Sequence, residues 1–199
     1  MTRLGYVVVT TVLADIFAAL FIGVAMFAPH PRLIWNASAS APIGLYRVTT
    51  LDHPNVGDLV AVSPPPVLSR FMASRRYLPS GIPLLKHVAA LAGSRVCRMD
   101  TTVTVNGNRV AVALPRDSHD RPLPVWQGCR TVDPHELFLL NAASDSFDGC
   151  YFGTIPDTGL LGRALPILTR DAPDKPLIWR GIAAAPASQI AKKDIVPCK

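Results

Sequence analysis

Two serines spaced by two, in the stretch NASASAPIGLY at 36–46, are the first residues of this chain with the makings of chemistry. Ser40 precedes Pro42 and Gly44, a pair able to fix a tight backbone excursion that holds a hydroxyl out. Ser38 would project to the same face of an extended segment. There its hydroxyl, beside the Ser40 backbone N–H, could meet an oxyanion. A serine hydroxyl is a weak nucleophile until a base takes its proton, and the chain holds one unusual candidate. Lys86 is the only lysine before Lys175, and it lies in the apolar run PLLKHVAALA at 83–92. Burial disfavours an ammonium and lowers its pKa, which is what a lysine needs to act as a general base near neutral pH. The competing readings are bland ones: an Ala/Ser linker, and a lysine that packs its stem and keeps its head in water.

A third cluster, NAASDSFDGCYFG at 141–153, is dense in short polar residues and contains Ser146 and Asp148. It reads as a turn rich in side-chain-to-backbone bonds, of a kind that can also orient a catalytic group. Other chemistries find no support. Neither H-E-x-x-H nor G-x-S-x-G occurs, and the five histidines are dispersed. The four cysteines, Cys97, Cys129, Cys150 and Cys198, include no C-x-x-C pair, so no metal site and no cofactor are expected. The formal charge of +6 comes from fifteen arginines scattered along the chain with five lysines. That makes a mildly basic surface without the footprint of a nucleic-acid binder.

The elements that must position these residues begin with an apolar segment at 4–28, LGYVVVTTVLADIFAALFIGVAMFA, whose one charge is Asp15. At about 1.5 Å per residue it spans a bilayer with some tilt. It exceeds the usual length of a signal-peptide core, and PHP at 29–31 follows without an A-x-A cleavage site, so an uncleaved anchor is expected. Asp15, costly at mid-span, either meets another membrane segment or is simply tolerated. Arg3 and Arg32 flank the segment on opposite sides, so charge decides its orientation weakly. An even cysteine count behind an export-type segment fits an oxidising compartment, with three disulfide pairings open.

Beyond the anchor, β-type segments dominate. LVAV at 59–62 follows a turn at 56–58, and alternation over 103–110 centres on Asn106 and Gly107, a strong hairpin signal. ELFLL at 136–140 reads as a buried strand, and 161–168 as a strand demoted toward an edge by Pro166. Periodicity leaves 84–92 open between a short helix and a buried strand. After Arg170 the chain turns to Ala, Pro and Lys, with LIW at 177–179 as its one anchor. The expected organisation is a membrane anchor at 1–28, a mainly β domain with small helical elements at 29–170, and a tail at 171–199.

Six short blocks occur in the order of the boxes of signal peptidase I: N-x-S-x-S-x-P-x-G-L-Y at 36–46, VGDLV at 56–60, LKHV at 85–88, VNG at 105–107, SDSFDGCYFG at 144–153 and GRA at 162–164. In detail, from about residue 35 to 167, the chain resembles the TraF-type conjugative transfer peptidases of that family. The resemblance implies a signal-peptidase-like β fold behind one transmembrane helix. Its site would have Ser40 as nucleophile and Lys86 as general base. Ser38 and the Ser40 backbone N–H would form the oxyanion hole, Ser146 would orient the lysine amine, and Asp148 would support the site through a structural network. It implies a serine endopeptidase in the inner membrane, with its catalytic domain in the periplasm. The substrate would be an exported precursor, a pilin above all, with other conjugation-apparatus proteins as possible partners. Two positions depart from the pattern: His87 follows the lysine where arginine is usual, and Cys150 stands where an arginine would pair with the aspartate.

The stretch from 28 to 40 reaches at most about 40 Å fully extended, which confines the candidate nucleophile near the bilayer surface. A general signal peptidase I and a non-catalytic membrane-anchored scaffold are the alternatives. A cytosolic repressor-type Ser/Lys autoprotease is disfavoured by the anchor and by the lack of a DNA-binding domain.

Overall fold

The computed structural model describes residues 3–27, 33–143 and 146–182; Ser144, Asp145, Cys198 and the rest of the tail from 183 lie outside them. The chain falls into two units, Met1–Pro31 and Arg32–Lys199. In the first, α1 (Arg3–Phe27) is apolar all round, with Leu4, Phe17, Phe21 and Val24 exposed. It is long and apolar enough to cross a membrane. Its threonines return their hydroxyls to the helix, Thr10 and Thr11 both donating to the Val7 carbonyl, at 2.9 and 3.0 Å. No hydroxyl of that pair is left to be solvated in lipid.

The second unit is mostly antiparallel sheet. Its strands in chain order are β1 (Leu33–Asn36), β2 (Ile43–Thr49), β3 (Leu59–Val62), β4 (Leu84–Ala90), β5 (Arg95–Met99), β6 (Thr102–Val105), β7 (Asn108–Val112), β8 (Gly128–Thr131), β9 (Glu136–Leu140), β10 (Thr154–Pro156), β11 (Leu160–Arg170) and β12 (Ile178–Trp179). Two short helices interrupt them, α2 (Pro66–Ser74) and α3 (Gly149–Phe152). A large sheet runs β1-β2-β11-β3-β4-β9-β10 with β12 added on β11, and a small one runs β7-β6-β5-β8.

The apolar run of β3 is buried at all four positions because the sheet is covered on both sides there. Leu59 and Ala61 pack with Tyr46, Val48 and Leu85. Val60 and Val62 pack instead with Val88, Leu137 and Leu139. A third cluster, with Val96, Val103, Val132 and Phe138, joins the small sheet to β9. In the small sheet Asn106 and Gly107 turn with positive φ at both residues, 49° and 81°, as a tight hairpin requires. Cys97 on β5 and Cys129 on β8 face each other and form a disulfide. In the chain-entropy view, closing that loop contributes about 3–4 kcal/mol. Two of the blocks noted in the sequence meet here, since Arg163 on β11 donates to Asp58 at 2.8 Å beside β3.

Three elements differ from the sequence reading or go beyond it. The open segment at 84–92 is a strand, β4, because β3 and β9 pair with it on either side. The strand around Pro166 is not at an edge: β11 lies between β2 and β3. Pro166 is tolerated because the β2 register shifts between Pro166 and Leu168, which places the missing N–H at an irregularity in the ladder. The proline cluster at 64–66 opens α2, with Pro66 in its first turn, where a helix needs no N–H from it.

Gly44 also plays a different part from the one its neighbourhood suggests. It sits in β2, opposite Asn36 of β1 and Thr169 of β11, with φ at +146°. A Cβ there would run into the Leu168 carbonyl oxygen and come to 2.8 Å from the Thr169 Cα. Gly44 thus allows a close backbone approach, while the turn itself is made by the residues before it. Gly44→Ala is expected to cost at least about 2 kcal/mol, read as a lowered urea midpoint of the detergent-solubilised chain. A variant as stable as wild type would show that β11 can move aside.

Candidate active site

The loop at 37–42 between β1 and β2 folds around one side chain. Asn36, the last residue of β1 and 9% exposed, reaches the carbonyls of Ser38, Ala41 and Pro42 with its Nδ2 at 2.9, 3.0 and 3.1 Å. Its Oδ1 lies 3.2 Å from the Ser38 N and 3.0 Å from the Ser38 Oγ. From below, the Tyr46 hydroxyl donates to the Pro42 carbonyl at 2.6 Å. Complete burial raises the Tyr46 pKa far above that of an ordinary phenol, so the hydroxyl remains a donor. The outcome is a half-buried Ser40 whose Oγ lies 3.0 Å from that of Ser38.

Lys86 stands opposite Val60 in the β3–β4 register and is 3% exposed. Its Nζ donates to the Ser146 Oγ at 2.5 Å. Ser146 and Asp148 belong to the turn between β9 and α3, and that turn is held from several directions. Asp148 caps α3: its Oδ1 accepts from the Cys150 N at 3.0 Å and its Oδ2 from the Asn141 N at 3.1 Å. Asn141 in turn donates its Nδ2 to the Leu85 carbonyl at 3.0 Å, which ties the turn to the strand that carries Lys86. Between the two polar residues, Phe147 stacks on Phe71 of α2 and on Tyr151, with ring centroids 5.5 Å apart in each case.

Both departures noted in the sequence acquire a structural account. His87 points its Nδ1 to the Asn141 Oδ1 at 3.3 Å, so it braces the same junction. At Cys150 it is the backbone carbonyl that meets a guanidinium: Arg98 of β5, 2% exposed, donates to it at 2.5 Å, and to the Pro124 carbonyl at 3.3 Å. Asp148 therefore works as a helix cap and a backbone acceptor. Burial holds its carboxyl above the ordinary value, against the pull of the nearby Lys86.

Ser38, Ser40, Lys86 and Ser146 all line one cavity of about 620 Å³, together with Tyr77 and Phe147. The structure thus brings every sequence-derived site residue except Asp148 to that cavity, and buries Asp148 fully, two residues beyond Ser146. Asn36, Asn141 and Phe147 carry the construction, and the sequence reading gave none of them a role. Their signal was present only as company, in a motif and in a polar turn. Serine hydroxyls and an amine on a largely apolar cavity are equipped for acyl transfer, with the amine as the available base.

Residues 4–168 match the model of the family described as signal peptidase, peptidase S26, and the chain belongs to that family. It is a TraF-type, membrane-anchored member. A probable conjugal transfer protein TraF of Sinorhizobium fredii is 40% identical over 145 residues, covering 67% of this chain and 76% of that protein. The conjugal transfer protein TraF of Agrobacterium fabrum is 40% identical over 148 residues, 68% of this chain and 82% of its own. A plasmid transfer protein TraF of Escherichia coli is 30% identical over 163 residues, 76% and 90% of the two chains. A signal peptidase I structure from Enterococcus faecalis aligns at 20% identity with a TM-score of 0.34, over 57% of this chain and 98% of that one, a likeness too slight to carry an argument.

The raised carboxyl of Asp148 has a consequence for stability. An acid whose folded pKa lies above its unfolded one is neutral in both states at low pH, and it costs stability as pH rises from the unfolded value toward the folded one. Asp148→Asn lacks that penalty but can accept only one of the two backbone hydrogen bonds. Wild type is therefore expected to hold its largest stability advantage over Asp148→Asn in acid, and to lose part of it toward neutrality. Urea unfolding of both proteins from pH 4 to 7 checks this; a gap that widens with pH would contradict it.

Proposed function

We propose that this protein is a serine endopeptidase using a Ser40/Lys86 dyad to process an exported precursor, most specifically the pilin precursor of a conjugative transfer system. The observation that carries the reading is the placement of Lys86. A scarce lysine is buried to 3% exposure, hydrogen-bonded to Ser146, on the cavity that Ser40 lines. Burying an ammonium is costly, and a base is the use that repays it.

In the reaction, neutral Lys86 accepts the Ser40 proton while the Ser40 Oγ bonds the scissile carbonyl carbon. The carbonyl π electrons move to its oxygen, which the Ser38 hydroxyl and the Ser40 backbone N–H stabilise. The lysine proton then passes to the leaving amine, and water hydrolyses the acyl-enzyme by the reverse use of the same base. Ser146 orients the amine, and Asp148 keeps the Ser146 turn in place by capping α3. The apolar anchor holds the domain at the membrane, where exported precursors present their cleavage sites. The Cys97–Cys129 disulfide supports a catalytic domain on the periplasmic face of the inner membrane, an oxidising side. Conjugation as the context rests on the names of the relatives.

Co-expression with a pilin precursor from the same transfer system tests the proposal. Ser40→Ala and Lys86→Ala are each expected to lower processing by at least about 1,000-fold at equal protein levels. Undiminished processing in both variants would sink it. Accumulation of many unrelated precursors on deletion would favour a general signal peptidase.

A further inference from the structure

We propose that Asn36 is the positioning residue of the nucleophile loop. Its amide fixes the hydrogen-bond order Ser40 to Ser38 to Asn36, and so sets where the nucleophile's proton rests before the base removes it. The inference depends on the reading of Ser40 as nucleophile.

The loop backbone decides which way the amide points. The Asn36 nitrogen faces three carbonyl oxygens, of Ser38, Ala41 and Pro42, all within 3.1 Å. An amide oxygen in that place would meet three acceptors and no hydrogen, whereas an NH2 group brings two donors. The orientation is therefore determined by the loop backbone. Oδ1 must then face Ser38, and an amide oxygen only accepts. It takes the Ser38 N–H at 3.2 Å and the Ser38 hydroxyl at 3.0 Å.

A serine hydroxyl has one proton to give. With that proton on Asn36, the Ser38 Oγ has only lone pairs to offer across the 3.0 Å contact with Ser40. Ser40 is therefore the donor in that pair, and its proton rests on Ser38 in the unoccupied site. When a scissile carbonyl enters, the Ser38 hydroxyl turns from Oδ1 to the carbonyl oxygen, and the Ser40 hydroxyl turns to Lys86. Lys86 takes the proton as the Ser40 Oγ bonds the carbonyl carbon, and Asn36 neither gains nor loses one. The Ser38 N–H stays on Oδ1 throughout, so the loop keeps its shape while the hydroxyl is lent out.

Asn36 thus acts through Ser38, and a double-mutant cycle reads that directly. The full chain in detergent is treated with a penem-type acylating probe, and acylation rates are compared for wild type, Asn36→Ala, Ser38→Ala, the double variant and Ser40→Ala. Ser40→Ala is expected to remain unlabelled. Labelling in that variant would overturn the nucleophile assignment, and this inference with it. Each other single substitution is expected to slow acylation by about 100-fold. The double variant should be slower than Ser38→Ala alone by no more than about tenfold, because the Nδ2 bonds to the loop carbonyls are still lost while the contact to the Ser38 hydroxyl is already gone. A double variant slowed by the product of the two single effects, or wild-type labelling in Asn36→Ala, would overturn the positioning role while leaving Ser40 as nucleophile. If Asn36→Ala does not fold, nitrogen NMR of the wild-type chain decides. The Asn36 side-chain amide protons should exchange slowly with solvent, and exchange as fast as in an exposed amide would remove the basis of the donor order.

Discussion

A single amine buried in the middle of a sheet is the constraint around which the candidate active site is arranged. Lys86 sits on β4, paired on both sides, where side-chain burial leaves its Nζ only what the fold supplies. An unsatisfied amine there would cost several kcal/mol. The fold supplies the Ser146 hydroxyl, which has to arrive from a turn some sixty residues later in the chain. The position of that turn is consequently as critical as that of the lysine, and much of the surrounding structure serves to hold it.

The holding is done by three kinds of force. Hydrogen bonds act at the two ends: Asp148 caps α3 and accepts from Asn141, and Asn141 returns to the backbone of β4. Aromatic packing acts at the centre, where Phe147 is set among Phe71, Tyr77, Tyr151 and Phe152. A buried cation acts behind α3, where Arg98 collects backbone carbonyls. The serine loop across the cavity is built more economically, around Asn36 alone with Tyr46 beneath it. The amine side is thus braced by long-range contacts, whereas the hydroxyl side is shaped by bonds within a few residues.

That division explains how much could be read in advance. The hairpin at Asn106 and Gly107 was legible because positive φ at both residues is a local demand that few residue pairs meet. The buried strand at 136–140 and the apolar anchor were legible from composition and length. Segment 84–92 was not, because its choice of strand over helix depends on two partners distant in sequence. Pro166 misled for a related reason: an irregular register beside β2 admits proline into an interior strand, and no single-chain pattern announces that. Gly44 looked like part of a turn, and only the approach of β11 reveals why a side chain is excluded there.

By itself, then, the sequence determined the membrane-length helix, the mainly β character, and the identities of the candidate groups: Ser38, Ser40, Lys86, Ser146 and Asp148. The helix, the β character and Lys86 follow from local properties, namely apolar length, alternation, and the scarcity of lysine in an apolar run, whereas Ser38, Ser40, Ser146 and Asp148 were given their parts by the order of the motif blocks. Tertiary structure alone decided that Lys86 meets Ser146, that Asp148 caps a helix in place of the ion pair usual in the family pattern, and that Asn36 orders the two serine hydroxyls. Each of those depends on the direction of a donor and the distance to its acceptor. Such directions are set by how strands pair and loops close in space, which residue types and spacings along a chain do not encode one by one.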